Sequence, residues 1–83
     1  MAHEVFWKKS VSKDIKRITQ EQQDKLINKI EKTLSKKAKQ GEKLKGKFEG
    51  LYKIRIGDYR VIYTFIPKGV LVLRLRHRKN AYK

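Results

Sequence analysis

Six cationic side chains, Lys53, Arg55, Arg60, Arg74, Arg76 and Arg78, crowd the C-terminal part of the sequence, and no acidic residue is expected among them on the sheet face they share. In an extended chain, residues two apart share a face. Lys53 and Arg55 therefore project to one side of their strand, as do Arg74, Arg76 and Arg78 of theirs. Guanidinium and ammonium groups gathered without carboxylates bind polyanions, and phosphates above all. The segment that orders them is Leu51 to Tyr63, LYKIRIGDYRVIY. It reads as a β-hairpin whose arms alternate apolar or aromatic residues with basic ones, closed by a two-residue Gly57-Asp58 loop in which glycine supplies a positive φ.

That loop sets a register in which Ile56 faces Tyr59, Arg55 faces Arg60, Ile54 faces Val61, Lys53 faces Ile62 and Tyr52 faces Tyr63. Tyr52, Tyr59 and Tyr63 share the apolar parity and are expected in the core, Tyr59 partly exposed beside the turn. Arg55 opposite Arg60 is a local violation, since like charges directly across a sheet destabilise by up to about 1 kcal/mol. The next strand, VLVLRLRHR, follows Pro67-Lys68-Gly69. A three-residue loop there puts Leu71, Leu73 and Leu75 in the core with Phe65, Tyr63 and Val61, and sets Arg76 opposite Arg60 and Arg74 opposite Ile62. A two-residue loop would drive Arg74 and Arg76 into the core at a desolvation cost of several kcal/mol each. Three residues are therefore expected. His77 falls at the core parity beside Leu75 and reads as a packing residue.

The elements that carry this sheet must fit into 83 residues, which is one small domain, 1–83. The 23 Lys and Arg against 8 Asp and Glu give a formal charge of +15, which implies a nucleic acid or acidic protein partner. With no cysteine and two histidines, His3 and His77, disulfides and thiolate metal sites are excluded and no metal or cofactor is expected. The N-terminus has no apolar signal region, and no run approaches the ~20 residues that span a bilayer. The helices look sized for a core and not for a membrane surface. A cytoplasmic protein without membrane contact is the expectation.

His3 to Lys8 predicts a first strand, with Val5 and Trp7 on one side, Phe6 on the other, and Trp7 in the core. Ser10 or Ser12 can cap a first helix whose stripe is Val11, Ile15 and Ile18. Thr19 followed by Gln22 has capping-box spacing and opens a second helix with Leu26, Ile27, Ile30, Leu34 and Ala38 on one face. Gly41 suits a left-handed C-terminal cap. The two helices form a hairpin on one face of the sheet. Lys36 to Lys47 reads as a lysine-rich loop whose charges, Lys45 and Lys47 among them, either stay in water or contact phosphate. The sequence ends HRKNAYK, bringing His77, Arg78 and Tyr82 back toward the basic face.

The combination LKGKFEGLYKIRIGDYRVIY and then VLVLRLRHRKNAYK resembles the RelE/ParE toxin superfamily, and within it the RelE-like ribosome-dependent mRNA interferases. The resemblance covers the whole chain. It implies an α+β fold of order β-α-α-β-β-β, an N-terminal strand, a helical hairpin on one sheet face and three antiparallel strands. It also implies the toxin of a type II toxin-antitoxin system, which enters the ribosome, cuts mRNA without a metal and is neutralised by a cognate antitoxin. In that chemistry the 2′-OH attacks the adjacent phosphorus, leaving a 2′,3′-cyclic phosphate and a 5′-OH. The family's catalytic positions fall on Lys53, Arg55, Arg60, Arg78 and Tyr82. RNA contacts are expected from Arg74, Arg76, Lys45, Lys47 and Lys79.

One position departs from the pattern. Arg55 stands where well-studied relatives have a second lysine, often assigned as the base, and arginine does not deprotonate in proteins. Either Lys53 takes that role, or charge stabilisation and orientation of the 2′-OH suffice. Two other functions fit the same cations: a ParE-like toxin that inhibits DNA gyrase without cutting RNA, and a non-enzymatic basic sheet that coats nucleic acid.

Overall fold

The computed structural model describes residues 3–77, so Arg78, Lys79 and Tyr82 lie outside the described residues. In chain order the elements are β1 (Glu4–Trp7), α1 (Ser10–Asp14), α2 (Gln20–Lys37), β2 (Glu42–Lys43), β3 (Tyr52–Ile56), β4 (Tyr59–Ile66) and β5 (Gly69–His77). Single 3-10 turns occupy Ala38–Gln40 and Gly46–Phe48. The strands form one sheet of order β1-β5-β4-β3-β2. β1 runs parallel to β5 and every other pairing is antiparallel. The α+β class and the helical cover stand, with two refinements: the sheet gains the short edge strand β2, and the expected helical hairpin is one long helix preceded by a short one.

The β3–β4 hairpin has the register read from the sequence, Arg55 against Arg60 and Tyr52 against Tyr63 included. Gly57 holds φ at 61° and no other residue of the loop is positive, as a type II′ turn requires.

The β4–β5 connection differs from the three-residue expectation. Ile66 faces Gly69 across a two-residue Pro67-Lys68 loop. The parity argument failed because β5 carries a bulge: Ile62 pairs with Arg74 but Tyr63 pairs with Val72, leaving Leu73 extra. One inserted residue flips every side chain beyond it to the other face. Val70 and Val72 therefore fill the core before the bulge and Leu75 after it, while Leu71 and Leu73, expected in the core, are only partly buried. Arg74 and Arg76 stay out of the core, opposite Ile62 and Arg60.

α1 secures that bulge. β1 leaves β5 at Val72, and the chain then turns along the freed edge. The Lys8 N–H donates to Val72 O at 2.9 Å, the Ser10 hydroxyl to Leu73 O at 2.9 Å, and the Leu75 N–H to Asp14 Oδ2 at 2.9 Å. Neither serine caps the helix as expected. Its N-cap is Lys9, and the Ser12 hydroxyl donates to Lys9 O. α1 ends at Asp14, short of the expected Ile18, yet Val11 and Ile15 are buried as the stripe demands.

α2 begins with both bonds of the capping box, Gln22 N–H to Thr19 Oγ1 and Thr19 N–H to Gln22 Oε1. Ile30, Leu34 and Ala38 pack with Val61, Tyr63, Val70 and Val72 in one core cluster. Trp7 packs against that cluster and donates its indole N–H to Glu31. Gly41 is not the left-handed cap expected of it, since its φ is −66°. It is required for a different reason: a methyl group there would overlap the Tyr63 hydroxyl, which donates to Ala38 O. The lysine-rich stretch is also more ordered than a loop, for it contains the end of α2, a 3-10 turn and β2.

Candidate nucleic-acid interface

Across three strands the sheet places Arg55, Arg60 and Arg76 in one row, because Arg60 pairs with Arg55 on β3 and with Arg76 on β5. Each like-charge pairing costs ~0.2–1 kcal/mol in the free fold. Beside this row lies a groove of about 600 Å³ lined by Lys8, Lys53, Arg60, Arg74 and Arg76 together with Leu44, Phe48, Leu51, Ile62 and Leu73. Its lining holds five cations and no carboxylate. The volume is within the ~300–1,000 Å³ of ligand sites.

The expectation that no acidic residue sits among the cations is corrected at two of them. Asp14, whose side chain is 10% exposed, grips Arg74 with both oxygens, at 3.1 Å from Nε and 3.0 Å from Nη2. The hydrogen bonds and then the charge of Asp14 push the Arg74 guanidinium further above its ordinary range. Arg74 therefore anchors the β5 bulge as well as lining the groove. Lys53 Nζ lies 3.5 Å from Glu42 Oε2, across the β2–β3 pairing. Sequence reasoning missed Glu42 because a strand of two residues has no periodicity to detect. It missed Asp14 because the partner is 60 residues away.

The groove thus brings together Lys53, Arg60, Arg74 and Arg76 and adds Lys8 and Phe48, neither of which the sequence singled out. It leaves out Arg55, whose Nε–H donates to Gly57 O at 3.4 Å at the exposed end of the hairpin. Lys45 lines a separate shallow depression with Lys43, Glu49 and Tyr52. Lys47 lies over the Phe48 ring, 5.4 Å from its centroid. Among the described residues, no group of three or more His, Cys, Asp or Glu gathers where a metal could be held, and no helix is long and apolar enough to cross a membrane. His77 meets Tyr59 edge-on at 5.2 Å, in keeping with packing. Burial, and then the Asp58 charge, raise the Tyr59 phenol above its ordinary range.

The sheet thus has one face under α2 and the other carrying cations around an apolar floor. Residues 5–82 match the family model described as the ParE toxin of type II toxin-antitoxin systems, parDE. The chain belongs to this ParE/RelE toxin family. Its fold is similar to a chain of the RelBE2 toxin-antitoxin complex of Mycobacterium tuberculosis, with 21% identity, a TM-score of 0.81, and coverage of 94% of this chain and 100% of that one. It is also similar to a chain of the RelB-RelE antitoxin-toxin complex of Methanococcus jannaschii, at 23% identity and TM-score 0.64 over 93% of this chain and 94% of that one. A conserved hypothetical protein of Helicobacter pylori is similar at 26% identity and TM-score 0.61, over 95% and 98% of the two chains. No curated protein matches the sequence significantly.

Proposed function

We propose that this toxin is a ribosome-dependent mRNA endoribonuclease that cuts without a metal, by attack of the substrate 2′-OH on the adjacent phosphorus. The observation that carries the reading is the convergence of Lys53, Arg60 and Arg76 on one groove with no carboxylate in its lining. A phosphate passing to a pentacovalent transition state gains negative charge, and fixed cations aimed at that charge supply the largest part of such catalysis. Arg60 and Arg76, which pair across β4 and β5, hold the scissile phosphate in this reading. Lys53 is placed to orient or deprotonate the 2′-OH, and its neighbour Glu42 at 3.5 Å brings a second group that can accept a proton. Arg55 stabilises charge at the groove's margin and does not act as a base. The family resemblance assigns transition-state charge to Arg78, whose guanidinium stays protonated throughout, and stacking on a base to Tyr82.

The same charge calls for a neutralising partner. A cognate antitoxin presenting acidic and apolar residues would cover this face, since pairing with carboxylates relieves the repulsion along the arginine row. The fold's likeness to chains found in toxin-antitoxin complexes supports that partner. Action on ribosomal mRNA places the protein in the cytoplasm.

A second reading, inhibition of DNA gyrase without RNA cleavage, is favoured by the family model itself, which describes the parDE toxin. Adding the purified chain to a translation reaction and, separately, to a gyrase supercoiling reaction decides between them. Translation-dependent cuts in mRNA with normal supercoiling are expected. Intact mRNA with blocked supercoiling would establish the second reading, and binding without either effect a non-enzymatic module.

A further inference from the structure

Phe48 is the one large hydrophobic side chain exposed among the described residues, with 51% of its surface in water, and it stands at the wall of the basic groove. Its exposure does not come from a loose loop. The Phe48 N–H donates to Lys45 O at 3.4 Å, the Glu49 N–H to Gly46 O at 3.1 Å, the Leu51 N–H to Phe48 O at 3.1 Å and the Leu44 N–H to Leu51 O at 2.9 Å. Gly46 and Gly50, with φ of 69° and 93°, supply the left-handed turns that close it. The Thr64 hydroxyl donates to Gly50 O at 2.8 Å and ties the loop to β4. An aromatic ring is thus held half in water by a structured segment, with Leu44 and Leu51 beside it in the same groove wall.

We infer that Phe48 seats a nucleobase of single-stranded RNA, with the strand's phosphates running along Arg60 and Arg76; this rests on the reading of RNA as the substrate. A nucleotide is planar and apolar at one end and anionic at the other. The groove offers both kinds of partner, Leu44, Phe48 and Leu51 among its apolar lining and Lys53, Arg60 and Arg76 among its cations. Aromatic rings in cationic grooves are how proteins hold single strands, because every base has a face to stack. Lys47 over the ring adds a cation–π contact. An acidic and apolar segment would satisfy the cations and cover the ring, but only a base stacks flat on it.

Binding of a short RNA oligonucleotide and of the same strand made abasic, to the full chain and to Phe48→Ala, tests the inference. The ring is half in water, so its truncation leaves the core untouched. Phe48→Ala is expected to weaken the base-bearing strand about tenfold, the effect of losing one stacked base, and to leave the abasic strand unchanged. Phe48→Trp is expected to restore affinity and to have its fluorescence quenched by the base-bearing strand alone. Equal losses on both strands, or none on either, overturn the base seat, as does loss of an acidic peptide's binding with that of RNA unaffected. The readout is binding, so a chain that stacks bases yet cuts no mRNA keeps the seat and overturns only the endoribonuclease reading.

Discussion

The Asp14 carboxylate holds the Arg74 guanidinium at 3.0 and 3.1 Å and accepts the Leu75 N–H at 2.9 Å. One nearly buried side chain of α1 thereby fixes the irregular strand that carries Arg74 and Arg76 into the groove. Without it the bulge would leave a backbone donor unmet and the register of β5 unguarded.

Asp14→Ala is therefore expected to destabilise the fold by about 2–4 kcal/mol, combining the unmet Leu75 N–H with the loss of a partly buried, bidentate charge pair. Arg74→Ala should cost less, because the Asp14 carboxylate keeps its backbone partner. Urea unfolding of both variants checks the order. Equal stabilities for Asp14→Ala and the parent would show that the clamp is idle.

Arg76 makes the opposite trade. Arg76→Gln removes one like-charge pairing with Arg60 and is expected to stabilise the free chain by a few tenths to about 1 kcal/mol. The same change should weaken RNA binding and flatten the slope of log K against log salt by about 0.7, the share of one phosphate contact on a single strand. Denaturation and a salt titration on one preparation test both halves. A variant that is less stable with an unchanged slope would remove Arg76 from the interface.

The fold was largely legible because its hairpin and its long helix carry local signals. The Gly57-Asp58 turn fixes five cross-strand pairs, and Thr19 with Gln22 marks the start of α2. What escaped was set by distant partners. The bulge at Leu73 depends on Ser10 and Asp14, and Gly41 on the approach of Tyr63, none of which has a signature in its own stretch. In the groove, Lys53 and Arg60 were legible from the hairpin's parity and Arg74 and Arg76 from the cost of burying them, although the bulge and not the loop length keeps these two out of the core, whereas Lys8 and Phe48 arrive through loop geometry that no period encodes.

Burial raises the Tyr63 phenol above its ordinary range, with a hydrogen bond to the Gly41 backbone acting the other way. A group whose folded pKa exceeds its unfolded value binds its proton more tightly when folded. Its contribution is therefore complete below the unfolded value, near 10 for tyrosine, and is lost as pH rises through the folded value. Tyr63→Phe is expected to be less stable than the parent by about 1 kcal/mol near neutrality, for want of the hydrogen bond to Ala38 O. The gap should narrow above about pH 10. Urea midpoints for the two chains across that range measure it, and a gap that widens with pH would reverse the assignment.

If the groove of Lys53, Arg60 and Arg76 cuts RNA through the substrate's own 2′-OH, a substrate lacking that hydroxyl at the cut must stay intact. Single-turnover cleavage of a ribosome-bound mRNA, compared with the same mRNA carrying one 2′-deoxynucleotide at the cut, tests it most directly. A 2′,3′-cyclic phosphate product is expected from the first and no cut at that position in the second. Arg60→Ala should slow the reaction on the first by roughly 100- to 1,000-fold, as when one oriented charge donor is removed. Cleavage of the 2′-deoxy substrate at the parent rate, or an Arg60→Ala chain as fast as the parent, would contradict it.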